Sequence, residues 1–243
     1  PTVTTSQTNA TCNTACDGTA DVTVTAGTPP YIYTWSPAVG TLGSATALCA
    51  GNYTVTISDG QVPACSTIVI FTITQPTPIA ANPLVVNESC GGACDGSISV
   101  TPTGGTTVPC GVYTYLWAPG GETTTSITGL CAGGYTVTIT DCNGCTIQPS
   151  FTIAGLPPLS VVMTPTNVLC NGACDGTAYG TAAGGTPPYF YSWNTVPAQA
   201  QDTAVNLCPG PYTLTVTDAN GCTVTGTVNI TEPVLLTSSI TAF

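Results

Sequence analysis

The chain has 243 residues and no Lys, Arg or His; its 11 acidic side chains give a formal charge of −11 and a charged fraction of 5%, against about 25% in an average protein. With no side-chain cation it cannot neutralise phosphates, which excludes nucleic acid and anionic membrane surfaces as partners, and its carboxylates must be met by backbone N–H groups, hydroxyls, water or a bound cation. Fourteen cysteines without His or zinc-site spacing point to disulfides and an oxidising, extracellular location, and no apolar run approaches the ~18 residues of a membrane-spanning helix.

In chain order, a lead-in (PTVTTSQT) precedes the phrase CNTACDG, Cys12 to Gly18. Alternating runs follow: TADVTVTA, YIYTW after Thr28-Pro29-Pro30, NYTVTISD after Leu48-Cys49, and CSTIVIFTI from Cys65. Period-two alternation of apolar residues with Thr or Ser predicts half-buried antiparallel strands, and no helix-period stretch interrupts them. The same order restarts at CGGACDG (Cys90 to Gly96) and at CNGACDG (Cys170 to Gly176), so the opening cysteines stand 78 and 80 residues apart. Turns are predicted at Asp17-Gly18, Asp95-Gly96 and Asp175-Gly176, at Thr186-Pro187-Pro188, and at Asn143-Gly144 and Asn220-Gly221. About seven short strands per roughly 80 residues predict an all-β tandem array of three disulfide-stapled immunoglobulin-like sandwiches. Pro-marked, stiff boundaries divide it into repeats at 1–77, 78–157 and 158–233. Residues 234–243 resemble a further lead-in, so the sequence reads as a piece of something longer, with a start of a truncated repeat at its right-hand end.

The order ACDG, GGTPPYxYxW, LCxGxYTxTxTD, NGCT and a closing ITEP, seen from Ala173 to Pro233 and less perfectly in the other two units, resembles the SprB-type repeat of gliding and cell-surface adhesins of the Bacteroidetes. The resemblance covers essentially the whole chain. It implies type IX secretion, a cell-surface location and a large, repeat-built, non-enzymatic protein. The chain departs from that family in its lack of basic residues and of a C-terminal sorting domain.

Units one and three share four cysteine positions, and unit two adds Cys110 and Cys142, which most simply pair with each other. Loops at one end of such a sandwich bring Cys16 to Cys49, Cys94 to Cys131 and Cys174 to Cys208. The remainder gives Cys12–Cys65, Cys90–Cys145 and Cys170–Cys222, seven bridges in all. A rival scheme pairs Cys12 with Cys16 and Cys49 with Cys65.

Alternate positions carry Tyr31, Tyr33, Trp35; Tyr113, Tyr115, Trp117; and Tyr189, Tyr191, Trp193, so each triplet lines one strand face. The triplets suit either core packing with hydroxyls at the margin or a sugar-stacking platform. Tyr53, Tyr135 and Tyr212 resemble tyrosine corners. Asp17, Asp95, Asp175, Asp59, Asp141 and Asp218 fit turn hydrogen bonding, since no segment clusters the six to eight oxygens calcium wants. Asn9, Asn52, Asn87 and Asn229 head N-glycosylation patterns, and Thr203 sits in an Asp-Thr-apolar motif of the O-glycosylation type. Without His, Lys or Arg the usual bases and anion clamps are missing, so no enzyme, cofactor or metal is expected. The sequence thus describes a non-enzymatic segment of an adhesin, stalk or filament, with a glycan-binding module as the alternative. Its partners would be neighbouring modules, surface polysaccharide or other copies in a filament, without membrane insertion.

Overall fold

A computed structural model describes residues 1–237; the lead-in expected over 234–243 therefore falls partly outside the described residues. The first repeat comprises β1 (Thr2–Thr8), β2 (Gly18–Ala26), β3 (Ile32–Ser36), β4 (Ser44–Leu48), β5 (Gly51–Ser58) and β6 (Ser66–Ile73). The second has β7 (Pro83–Val86), β8 (Gly96–Val100), β9 (Thr114–Ala118), β10 (Ser126–Leu130), β11 (Gly133–Thr140), β12 (Thr146–Ile147) and β13 (Ser150–Ile153). The third has β14 (Ser160–Thr166), β15 (Gly176–Ala183), β16 (Phe190–Trp193), β17 (Thr203–Leu207), β18 (Gly210–Thr217) and β19 (Thr223–Ile230). No helix occurs among the described residues.

Each repeat builds the same two sheets: β1-β2-β4 with β3-β5-β6 in the first, β14-β15-β17 with β16-β18-β19 in the third. The second repeats the pattern in β7-β8-β10 and in a sheet where β11 pairs β9, β12 and β13. This is the A-B-E and C-F-G arrangement of the immunoglobulin sandwich without its D strand. Six strands therefore replace the expected seven in the outer repeats. The seven of the second arise because Pro149, which has no N–H to give a ladder, separates β12 from β13.

The chain forms two compact units. One contains Pro1–Leu84, Ser99–Thr125 and Tyr135–Ser150; the other contains Val85–Ile98, Ser126–Gly134 and the chain from Phe151 onward. The first unit's core gathers Ala20, Val22, Trp35, Leu48, Val55, Ile57, Phe71 and Ile73, with Tyr31 and Tyr33 at its margin. The second unit's core gathers Ala178, Trp193, Ala204, Leu207, Leu214, Val216 and Ile230, with Tyr189 and Tyr191 at the margin. Alternation does the sorting: in β5 the inward residues Tyr53, Val55 and Ile57 are buried while Thr54, Thr56 and Ser58 are half-buried.

The ACDG phrase differs from its expected turn. Gly18, Gly96 and Gly176 open strands β2, β8 and β15. A Cβ on Gly18 would come 2.7 Å from Ile73 and 2.9 Å from the Leu48 carbonyl, and one on Gly176 would come 2.9 Å from both Ile230 and the Leu207 carbonyl. Glycine is needed there for close approach of strands. The turn lies earlier, closed by the N–H groups of Ala15, Ala93 and Ala173 on the carbonyls of Cys12, Cys90 and Cys170.

Trp35, Trp117 and Trp193 are 4%, 1% and 2% exposed, and their indole N–H groups donate to the carbonyls of Leu42, Thr124 and Gln201. Replacing Trp193 with Ala should cost about 3–5 kcal/mol in denaturant unfolding, whereas Ile70→Ala, on an exposed face, should stay within about 0.5 kcal/mol. Equal losses at the two positions would contradict this placement of the core.

Candidate functional site at the repeat junctions

The loop that opens each repeat is fixed by short polar contacts. Asp17 accepts bonds from the N–H and hydroxyl of Thr11, Asp95 from the N–H (2.9 Å) and hydroxyl (2.5 Å) of Ser89, and Asp175 from the N–H of Leu169 (3.2 Å). One side-chain carbonyl then ties this loop to the end of the repeat's last strand. Asn9 accepts the N–H of Thr74 (3.0 Å), Asn87 that of Ala154 (2.9 Å) and Asn167 that of Thr231 (2.9 Å). The opening cysteine, three residues after each Asn, is thereby held at the end of the repeat where the chain leaves it.

The late turn has its own repeated geometry. Asp59 Oδ1 accepts the N–H groups of Gln61 (3.2 Å) and Cys65 (3.0 Å); Asp141 Oδ1 does so from Asn143 and Cys145 (both 2.9 Å); Asp218 Oδ1 from Asn220 and Cys222 (both 2.9 Å). The second oxygens of Asp141 and Asp218 accept the N–H of Thr106 and Thr186 at 2.8 Å. Each turn precedes the closing strand of its repeat, so its cysteine begins that strand while the opening cysteine lies by that strand's end.

An eight-residue strand spans about 26 Å, far beyond the 4.4–6.8 Å that a disulfide bridges between Cα atoms. The expected pairs Cys12–Cys65, Cys90–Cys145 and Cys170–Cys222 are therefore not formed, and neither is the rival Cys12–Cys16 scheme. Instead Cys12 of the first repeat pairs with Cys145 of the second (Cα–Cα 5.6 Å), both in one compact unit. Cys90 of the second pairs with Cys222 of the third (5.8 Å), both in the other. Cys65 and Cys170 are free and exposed. The pairs Cys16–Cys49, Cys94–Cys131, Cys174–Cys208 and Cys110–Cys142 stand as expected.

Around both cross-repeat cystines the same groups meet. Asn143 Nδ2 donates to the Thr11 carbonyl (2.8 Å) and to Thr106 Oγ1 (3.2 Å); Asn220 Nδ2 donates to the Ser89 carbonyl (3.3 Å) and to Thr186 Oγ1 (3.1 Å). The linker forms a second strap. Asn13 Nδ2 donates to the Pro76 carbonyl (3.0 Å), and the N–H groups of Gly105 and Gly185 donate to the carbonyls of Thr77 (2.8 Å) and Pro157 (2.7 Å). Sequence reading missed Asn9, Asn87 and Asn167 in this role, although each stands three residues before an opening cysteine.

The remaining expected site residues fall elsewhere. The tryptophans of the three triplets are buried and their tyrosines half-buried, with the Tyr113 and Tyr189 hydroxyls donating to the carbonyls of Gly104 (2.6 Å) and Gly184 (2.7 Å). These rings pack the core and margin, so the triplets offer no open sugar-stacking platform. Tyr53 and Tyr212 donate to the carbonyls of Cys49 and Cys208, both at 3.0 Å, as tyrosine corners do. Thr203 is half-buried in β17 and its hydroxyl donates to Asp202 (3.0 Å). Glu88, Cys94 and Cys131 come within ligating distance of one another, but Cys94 and Cys131 form a disulfide and have no thiolate to give a metal.

A cross-linked chain of immunoglobulin-like sandwiches, its cystines requiring an oxidising setting, is the build of an extracellular, adhesin-type repeat region. The SprB repeat family model matches three segments of the chain, residues 4–40, 84–122 and 162–198, consistent with SprB-type repeats. Each match covers the front of a repeat, with its opening Cys and Tyr-x-Tyr-x-Trp strand. No curated protein matches the sequence. Similar solved structures include a Dscam isoform (10% identity over 96% of this chain and 74% of that one, TM-score 0.28). Two others are a tetra-tandem repeat from the extending region of a large adhesion protein (17%, 95% and 74%, 0.27) and protocadherin gamma B7 cadherin domains 1–4 (10%, 96% and 72%, 0.33). The immunoglobulin-like fold is defined by the strand topology of the repeats.

Two predictions follow from the junction geometry. Gly184 has φ +74°, and a Cβ there would lie 2.0 Å from the Pro158 carbonyl; Gly221 has φ +84° with nothing within 4 Å. Gly184→Ala should therefore lower the melting temperature well beyond Gly221→Ala, which bears only the left-handed backbone cost of about 1–2 kcal/mol; equal losses would refute the strap. The second concerns pH. The hydroxyls of Thr11 and Ser89, with their N–H groups, hold Asp17 and Asp95 below their ordinary value of 3.8. Burial pushes Asp59 and Asp218 up, but their backbone N–H bonds outweigh it and hold them below 3.8 too. With folded values depressed, their contribution is complete above about pH 3.8 and is lost as pH falls below it toward the folded values. Melting temperature should be flat from neutral pH down to about pH 5 and fall below pH 4, less steeply in Asp218→Asn; an unchanged slope in that variant would count against the assignment.

Proposed function

We propose that the chain is a non-enzymatic, load-bearing segment of a cell-surface adhesin or stalk, held off the surface as a series of covalently chained repeats. The cross-repeat cystines carry this reading. Consecutive repeats are joined twice, by the backbone linker and by Cys12–Cys145 or Cys90–Cys222, so tension need not pass through unfolded chain. From Cys12 the shortest covalent route crosses to Cys145, runs 14 residues back to Cys131, crosses to Cys94, runs four residues to Cys90 and crosses to Cys222. At ~3.5 Å per residue those segments extend roughly 60 Å, against roughly 700 Å for the backbone between the same two cysteines.

The commitment of the carboxylates to backbone N–H groups supports a structural rather than catalytic role, and the absence of Lys and Arg removes every trypsin site. Gliding motility, type IX export and attachment to surface polysaccharide are part of this reading through the SprB repeats. Burial of the triplet tryptophans, with the tyrosines half-buried beside them, gives no support to glycan stacking as the alternative.

Force spectroscopy tests it directly. Pulled by its ends, the oxidised chain should put no more than roughly 60 Å of extended backbone between Cys12 and Cys222, and the reduced chain roughly 700 Å. An oxidised chain that lengthens by hundreds of ångströms before any covalent bond breaks would overturn the load-bearing role.

A further inference from the structure

The two unpaired cysteines are the two halves of one junction. Cys170 occupies the position of Cys12 and Cys90, and Cys65 that of Cys145 and Cys222, in the loops whose partners are joined elsewhere in the same chain. The surroundings match as well as the sulfurs. On the Cys170 side the Ala173 N–H donates to the Cys170 carbonyl at 3.1 Å, as Ala15 and Ala93 do to Cys12 and Cys90 at 3.1 and 3.0 Å. Leu169 thus presents its carbonyl where Thr11 and Ser89 receive the amides of Asn143 and Asn220.

On the Cys65 side, the Asp59 N–H donates to the Cys65 carbonyl at 3.0 Å, as Asp141 and Asp218 do to Cys145 and Cys222 at 3.0 and 2.9 Å. Gln61 stands in for Asn143 and Asn220: its Nε2 donates to Thr28 Oγ1 as theirs do to Thr106 and Thr186. One amide hydrogen remains for the carbonyl of a facing loop. Both halves also expose apolar surface, Leu169 (80%) with Val234, Leu235 and Leu236 on one and Val62 (97%) on the other.

We propose that another repeat of the same build completes each half, Cys170 pairing with a late-turn cysteine and Cys65 with an opening-loop cysteine, and that a second copy of this chain supplies both: Cys170 of one copy forms a disulfide with Cys65 of the next, giving head-to-tail covalent chains. The reaction is thiol–disulfide exchange with a low-molecular-weight disulfide. Cys170 thiolate attacks the disulfide to form a mixed disulfide and expel one thiol, then Cys65 thiolate attacks that bond and expels the second. Two protein thiols are oxidised and one disulfide is reduced. The inference goes beyond the adhesin reading and does not depend on it, since joining requires only the junction already made twice within the chain. The covalent route described above would then continue from copy to copy, through Cys222, Cys208, Cys174 and Cys170 into Cys65, Cys49, Cys16 and Cys12.

Two variants test it, Cys65→Ser and Cys170→Ser, purified as the full chain and incubated in oxidised and reduced glutathione, with products read by non-reducing electrophoresis and intact mass. Wild type should give a ladder of multimers. Each variant alone should stay monomeric, carrying one glutathione. An equimolar mixture should form a dimer and stop there, at least tenfold more than either variant alone, with one Cys170–Cys65 peptide. Dimers of a single variant as abundant as in the mixture would show random oxidation of exposed thiols and overturn the proposal. Monomers throughout, wild type included, would overturn it equally; circular dichroism of the variants checks that folding is retained.

Discussion

The disulfide between an opening loop and the late turn of the following repeat is the constraint on which the rest of this structure depends. It exists because the two cysteines of one repeat lie at opposite ends of its closing strand, β6 in the first repeat and β19 in the third. A cystine inside the repeat would have to span that strand. Joined across the boundary, the same sulfurs turn a backbone linked by single connections into a ladder. Loops of 133 and 132 residues are closed, and in the chain-entropy account a loop of that order removes roughly 4–5 kcal/mol of freedom from the unfolded chain.

A chain without cations must solve its electrostatics locally, and the repeated Asp residues show how. Asp59, Asp141 and Asp218 are buried, yet each carboxylate accepts N–H bonds within its own turn and, in the second and third repeats, from the Thr after a Gly-Gly corner. No buried side-chain polar atom among the described residues is without a partner. The same bonds that satisfy the carboxylate place the turn's cysteine and its Gln or Asn, so charge satisfaction and junction geometry have one cause. Thr serves both purposes, filling the pleated faces and capping carboxylates without bringing charge.

Much of this was legible in the sequence. Period-two runs marked the strands, Tyr-x-Tyr-x-Trp marked the third strand of each repeat, and the tyrosine corners and turn aspartates were recognisable from their spacing. Cys16–Cys49 and its counterparts followed from loops at one end of a sandwich. The error lay in closing each repeat on itself. NYTVTISD, between Cys49 and Cys65, already placed Cys65 a strand's length from Cys16 and hence from Cys12, but only a pairing across repeats makes use of that fact. Gly18 was misread for a related reason: Asp-Gly is a turn signal locally, whereas the contact with Ile73 that demands glycine comes from 55 residues away and has no trace in the neighbouring sequence.

The cross-repeat cystines can be read directly by mass spectrometry of the non-reduced chain, cleaved at aromatic residues because trypsin has no site. The account predicts one linked peptide pair joining Cys12 to Cys145 and another joining Cys90 to Cys222, with Cys65 and Cys170 alkylated as free thiols in freshly isolated monomer. Recovery of Cys12 linked to Cys65, or Cys170 linked to Cys222, would show that each repeat closes on itself and would contradict the ladder.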